Sequence, residues 1–250
     1  MRRLQLFELH DCSWCPRAIR DGLTDFLEIA TEVLDTYGPV RRRLREALSR
    51  SGSSDVVDLC SGAGGPWVHW LRKGLLPASV TLTDRLPNLE ARRRLIDTGI
   101  RGLDYRAEPL DATRVPPELK GLRTIFTAFH HFSPEQARAV IEDAVSKRQP
   151  IGIFELTSRT PRALLSVLLS PIGVWLLTPR MEKIRWSKWV FSYIFPVIPL
   201  VVLIDGIISC FRTYSVEELK RMASASNYTW LIGSVEAGGG PITYLIGHPK

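Results

Sequence analysis

The sequence is short of cysteine and has no internal repeat or low-complexity tract. Four cysteines (Cys12, Cys15, Cys60 and Cys210) in 250 residues make no disulfide framework, so reduced thiols in a cytosolic setting are expected. The opening MRRLQLFELHDC is charged where a secretory leader would be apolar, and export is not expected. The Cys-x-x-Cys of HDCSWCP has no second pair to close a zinc site and precedes the first predicted strand instead of following one. Neither a metal nor a dithiol redox role is therefore expected of it. No Gly-Lys-Ser/Thr follows the glycine-rich stretch VVDLCSGAGGPW at 56–67, which excludes a Walker phosphate loop. The dinucleotide fingerprint also lacks its last glycine: counted from Gly62, its three positions are Gly62, Gly64 and Trp67. A nicotinamide-dependent oxidoreductase is thereby reduced to a rival reading.

What is present is a globular composition. Hydrophobic residues make up 45% of the chain and the formal net charge is +7, enough apolar material for one large α/β domain or two small ones. The positive excess suits nucleic acid, an anionic membrane surface or simple solubility, and its location decides among them. Between Arg159 and Arg212, seven lysines and arginines face two acids, a local net charge of +5. Most of the excess therefore belongs to the most hydrophobic part of the chain.

Apolar residues at helical spacing predict helices within 16–37 and 40–52, the second stopped by Ser-Gly. Strand-like runs follow at SDVVDLC, SVTLTD, LDYRAEPLDA, LRTIFTAFHHF and PIGIFEL. Between them lie a helix holding Trp67, Trp70 and Leu71, then NLEARRRLIDTG; SPEQARAVIEDAVSK follows the fourth run. Alternation with short links is the signature of a parallel sheet covered on both faces. Two apolar runs, 163–178 and 189–211, then break the pattern. TYSVEELKRMASAS reads as an amphipathic helix with Ser215 as N-cap and Glu218 three residues on. The closing YTWLIGSVEAGGGPITYLIGHPK reads as a hairpin at the sheet edge.

A strand-to-helix turn rich in glycine lets the backbone approach a ligand and aims amides at it. The turn at 58–64 resembles the first motif of class I S-adenosylmethionine (SAM)-dependent methyltransferases, an acid followed by spaced glycines: Asp58, Cys60, Gly62 and Gly64, with Cys60 replacing the first glycine. The resemblance covers roughly residues 50–160 and, more loosely, the C-terminal hairpin. It implies an α/β fold with a Rossmann-like, mostly parallel seven-stranded sheet and helices on both faces. The expected divisions are an N-terminal helical cap (1–50), the cofactor-binding core (51–159), an apolar helical insertion (160–211) and a helix with hairpin completing the core (212–250). The implied cofactor is SAM, held by Asp58, Cys60, Ser61, Gly62 and Gly64 of the turn. Asp84 would accept both ribose hydroxyls with Arg85 beside it, Asp111 and Ala112 would meet the adenine, and Phe129 would complete the site. Such a ligand needs acids and close backbone, not a phosphate cradle.

Methyl transfer from a sulfonium is an in-line displacement that positioning can largely catalyse, and no metal is required. Ligands of open parallel sheets lie at the carboxyl ends of the strands, where the fourth strand delivers FHHF. On an extended chain His130 and His131 point to opposite sides, so one of them is expected to serve as general base. Glu155, ending the fifth strand, is the second candidate. The Asn/Asp-Pro-Pro-Tyr stretch usual in methyltransferases of nucleic-acid bases is absent, so no nucleic-acid partner is expected. His10, Asp11 and Trp14 are expected in an N-terminal lid over cofactor or substrate.

The insertion carries tryptophan and cations in RMEKIRWSKW, as at a membrane interface. Residues 189–211 are long enough to span a bilayer, but Pro196, Pro199, Gly206 and Asp205 oppose it. A helical lid lining a greasy pocket is expected, and docking at the cytoplasmic face of a membrane is compatible with it. The expected function is methyl transfer to a hydrophobic small-molecule or lipid-like acceptor, with the oligomeric state left open. A membrane-associated SAM-binding protein without turnover is the rival from another class.

Overall fold

In the computed structural model, which describes residues 1–12, 14–181 and 186–250, the short apolar runs pair into one seven-stranded sheet. Its strands are β1 (Asp55–Asp58), β2 (Ser79–Leu82), β3 (Leu103–Tyr105), β4 (Leu122–Phe126), β5 (Ile151–Glu155), β6 (Tyr228–Ala237) and β7 (Gly240–Pro249). The order is β3-β2-β1-β4-β5-β7-β6, with the first five parallel and β7 antiparallel to both neighbours. The hairpin thus closes one edge of a parallel sheet, and β5 is buried along its whole length, as a strand covered on both faces must be.

Helices α1 (Arg17–Val33) and α2 (Arg41–Ser51) precede the sheet. Helices α3 (Gly65–Arg72), α4 (Leu89–Asp97) and α5 (Pro134–Ser146) connect its parallel strands. The insertion folds as α6 (Pro161–Leu168), α7 (Ser170–Leu177), α8 (Trp186–Trp189) with a π turn at Val190–Ile194, and α9 (Val197–Arg212), before α10 (Val216–Met222). Ser215 and Glu218 form the expected capping box of α10, and Ser133 with Gln136 forms another on α5.

Three apolar clusters hold these layers. Leu44, Leu48, Trp67, Trp70 and Leu82 pack on one sheet face with α2 and α3, and Ile125, Ile141, Tyr214 and Leu219 fill the other with α5 and α10. The third is separate: Ile19, Leu23 and Phe26 of α1 meet Val174, Ile198 and Val201 of α7 and α9. Gly22 permits this contact, because a Cβ there would lie 2.5 Å from Ile198 Cδ1. Helix α1 therefore packs with the insertion, whereas α2 packs on the sheet.

The fourth strand is shorter than the sequence suggests. Thr127 adopts a left-handed φ of 43°, held by hydrogen bonds from its amide to Phe154 O and between its hydroxyl and Tyr37. The chain turns there, and Phe129–His131 form a 3-10 turn instead of extended backbone.

No single helix among the described residues is long and apolar enough to cross a membrane. The two apolar runs fold as bent pairs, by 41° between Pro161–Leu168 and Ser170–Arg180 and by 73° between Trp186–Ile194 and Val197–Arg212. Ser13 of the cysteine motif, and Glu182, Lys183 and Arg185 of the basic segment, lie outside the described residues.

Candidate active site

The turn after β1 is built around a buried carboxylate. Asp58 is 2% exposed; its Oδ1 accepts from Thr124 Oγ1 at 2.5 Å and from the Trp67 indole at 3.1 Å. Burial pushes its pKa up to about 7, against these hydrogen bonds. The tryptophan in the last fingerprint position thus fills the space between helix and sheet and ties α3 to β1. Cys60 takes φ +58°, the left-handed conformation for which the usual glycine is suited. Gly64 is required more strictly: its φ is +119°, and a Cβ would stand 2.4 Å from Val68 Cγ2.

The acids after the next two strands converge on this turn. Asp84 lies two residues beyond β2; its Oδ2 accepts the Gly62 amide at 2.9 Å and its Oδ1 the Leu86 amide at 2.9 Å. Each oxygen keeps a lone pair for a further donor. Tyr105 donates its hydroxyl to Gly62 O at 2.8 Å and accepts from the Asn88 amide at 3.0 Å, bracing the same turn from β3. Asp111 is exposed, with Oδ1 accepting from the Thr113 amide and hydroxyl, and the Thr113 amide holds its carboxyl below the usual range. The Cys60 thiol is pushed up by burial, with the Asp84, Asp58, Asp111 and Glu155 carboxylates adding to the rise.

A second group sits where β4 and β5 end. Glu155, 1% exposed, accepts the Phe129 amide at 2.7 Å and approaches His130 Nδ1 at 2.6 Å. His130 is equally buried, with Nε2 3.4 Å from Glu8 Oε1. Burial would lower its pKa, but the charge and hydrogen bond of Glu155, with Glu8 behind them, push it up to about 9. Glu8, which burial alone would raise, is held at about 2 by the neighbouring histidines. Arg212 Nη1 completes the set 3.2 Å from Glu8 Oε1.

Beside this group a cavity of about 670 Å³ opens between α1, the insertion helices and the hairpin turn. Leu23, Phe26, Leu27 and Val167 line its body; Glu8, His10, His130, His131 and Asp205 line one end.

No protein-family model and no curated protein sequence matches the chain. Solved structures do. A SAM-dependent methyltransferase from Aquifex aeolicus superposes with a TM-score of 0.52 at 12% identity, over 92% of this chain and 98% of that one. The plantazolicin methyltransferase BpumL, solved with SAH, gives 0.50 at 11% identity, over 93% and 98%. The chain has the fold of a class I SAM-dependent methyltransferase. A Rhodobacter sphaeroides protein provisionally described as a Zn-dependent alcohol dehydrogenase shares it too, with a TM-score of 0.51 at 15% identity over 92% and 98%.

Placed on the methyltransferase fold, Cys60, Ser61, Gly62, Gly64, Asp84 and Asp111 gather at one turn. Others differ from expectation. The Asp58 side chain faces the core, and Phe129 is fully buried against Phe132 and Tyr214, so its ring offers no contact surface. Ala112 is also buried, and Arg85 is exposed. His130 and His131 do not diverge: the 3-10 turn sets their rings 4.4 Å apart, tilted by 32°. His130, carrying a proton at neutral pH between two carboxylates, is no resting base. His131, with its side chain 28% exposed, is the more open of the two. Trp14 is 67% exposed, whereas His10 and Asp11 join the polar end.

Glu8, Tyr105, Asp205 and Arg212 were not singled out for the site from the sequence. Glu8 sits two residues before the His-Asp pair, a spacing that could have flagged it. Asp205 lies inside the apolar run 189–211 and Arg212 directly follows it, which is where a buried charge needs a partner.

Proposed function

We propose that the protein is a SAM-dependent methyltransferase acting on a hydrophobic small-molecule or lipid-like acceptor. The observation that carries this is the pairing of the acid-ringed glycine turn with a largely apolar cavity at the carboxyl ends of β4 and β5. The donor set fits SAM: free lone pairs on Asp84 suit a ribose diol, and the left-handed turn at Cys60–Gly64 brings backbone close without a phosphate cradle. Bound there, SAM supplies a methyl group on a sulfonium. Gly62, where a Cβ would meet nothing within 4 Å, leaves room for it, and Asp84 orients it from the β2 end.

The chain's remaining work is positioning. Glu155 fixes the Phe129 amide and the His130 ring, so the rim after β4 is held rigid. Leu23, Phe26 and Leu27 of α1 bind the acceptor's apolar body and exclude water, while the polar end around His10 and His131 orients its reacting group.

The insertion supports docking to a lipid surface. Leu165, Leu168, Leu169, Ile172, Leu176, Trp186, Ile194, Phe195 and Leu200 are all exposed on it. Among the described residues, several cations in and around the insertion are paired. Lys188 is buried against Asp25, Arg159 pairs with Glu218, Arg212 is buried against Glu8, and Arg162 meets Glu236 at 2.8 Å. Docking carried by apolar side chains responds weakly to salt.

The test is incubation with methyl-labelled SAM and a panel of acceptors from apolar phenols to extracted lipids. Label entering an organic-phase acceptor supports the reading. SAM binding with no transfer to any of them favours a binding protein without turnover, and tight binding of NAD alone overturns both.

A further inference from the structure

The polar end of the cavity holds more carboxylate than orienting an acceptor requires. Glu8, Asp11 and Asp205 converge on two imidazoles, and among the described residues Arg212 is the arginine within ion-pair distance of these carboxylates. Three carboxylates against one guanidinium leave two negative charges when His10 and His131 are neutral.

The donors are arranged around a common point. Glu8, His10, Asp11 and His131 each offer one atom, and these four atoms lie within 4.8 Å of one another. A tetrahedral ion with bonds of about 2.1 Å separates its ligands by about 3.4 Å, so modest rotations of the partly exposed His10, Asp11 and His131 toward the buried Glu8 close the set.

One feature favours an ion over a network of ion pairs. Asp205, 3% exposed, accepts the amides of Leu9 at 2.6 Å and His10 at 3.0 Å and meets His10 Nδ1 at 2.8 Å. Asp205 Oδ2 accepts from His10 Nδ1, so in neutral His10 the Nε2 lone pair, 3.6 Å from Asp11 Oδ1, is the one open to a metal. A carboxylate holding the far nitrogen of a ring is how a metal-binding imidazole is oriented. Asp11 Oδ2 stands 3.0 Å from His131 Nδ1, and His131 Nε2 stands 3.8 Å from Glu8 Oε2.

We propose that Glu8, His10, Asp11 and His131 bind a divalent transition cation at the polar end of the acceptor cavity. Two imidazoles and two carboxylates suit zinc or ferrous iron, whereas magnesium and calcium take all-oxygen sets. Glu8, His10 and His131 line the cavity, so the ion would face a bound molecule and take an anionic or chelating oxygen from it. That use, though not the site itself, rests on the methyltransferase reading. A metal was not expected from the sequence because the cysteines, its most visible ligands, are not part of the set.

The test uses the untagged full-length protein, stripped with a chelator and titrated with Co2+ by absorption and with Zn2+ by competition. One ion per chain is expected, bound at least tenfold more weakly by His10→Ala and by His131→Ala. SAH affinity should match the wild type in both. If either variant fails to fold, Asp11→Asn, at a partly exposed side chain, replaces it. Four outcomes overturn the proposal: no ion bound, equal binding by all variants, preference for Mg2+, or a thiolate charge-transfer band placing Co2+ on Cys12 and Cys15. SAH binding without Co2+ binding sinks the metal site alone; Co2+ binding without SAH binding sinks the methyltransferase reading alone.

Discussion

Replacing Asp58 by asparagine tests the buried carboxyl beneath the glycine turn. The asparagine is a near isostere of the protonated acid, and its Oδ1 can still accept from Thr124 and Trp67. In the wild type, burial raises this pKa from an ordinary 3.8 to about 7, and each unit corresponds to about 1.4 kcal/mol. Below pH 3.8 the folded and unfolded chains are both protonated and nothing is lost. As the pH climbs through 4 to 7, the unfolded chain releases a proton that the folded chain retains, and stability falls by about 4 kcal/mol in total. About two-thirds of that fall lies above pH 5. Urea unfolding of both proteins at pH 5 and pH 8, followed by tryptophan fluorescence and circular dichroism, should show the variant gaining about 3 kcal/mol on the wild type over that interval. Other groups titrate alike in both proteins and cancel in the difference. Parallel stability curves would refute the reasoning, because they would mean that Asp58 stays ionised, its desolvation matched by its hydrogen bonds.

Gly64→Ala should lose about 1–3 kcal/mol in urea unfolding and weaken SAH binding, since its φ of +119° and the 2.4 Å approach to Val68 leave no place for a Cβ. Ser215→Ala removes one half of the α10 capping box and should cost about 1 kcal/mol by the same measurement. The triple change Leu168→Ser, Leu169→Ser, Leu176→Ser, at side chains all more than half exposed, should abolish co-flotation with lipid vesicles while leaving SAH affinity intact. Flotation of the wild type should survive high salt; loss of it on adding salt would return the basic flank to the leading role.

The regular part of the fold was legible because it rests on local patterns. Short apolar runs ending in glycine or acid, the Ser215–Glu218 box and the glycine-rich hairpin each specify their own geometry within a few residues. What escaped depends on contacts between distant segments. LRTIFTAFHHF has strand composition throughout, yet Tyr37, ninety residues away, and the β5 backbone help to hold Thr127 in a left-handed turn, so the two histidines lie side by side. Lys188, Arg159 and Arg212 looked solvent-exposed because their partners, Asp25, Glu218 and Glu8, come from α1, α10 and the residues before α1. Asp205 similarly read as a charge stranded in an apolar helix, whereas it holds the backbone of Leu9 and His10.

Calorimetric titration of the protein and of Asp84→Asn with SAH tests the central claim most directly. The account predicts that SAH binds the wild type and that the variant binds at least tenfold more weakly, the loss of charge-assisted hydrogen bonds worth about 1.5–3 kcal/mol. SAH failing to bind, or binding both proteins equally, would contradict it.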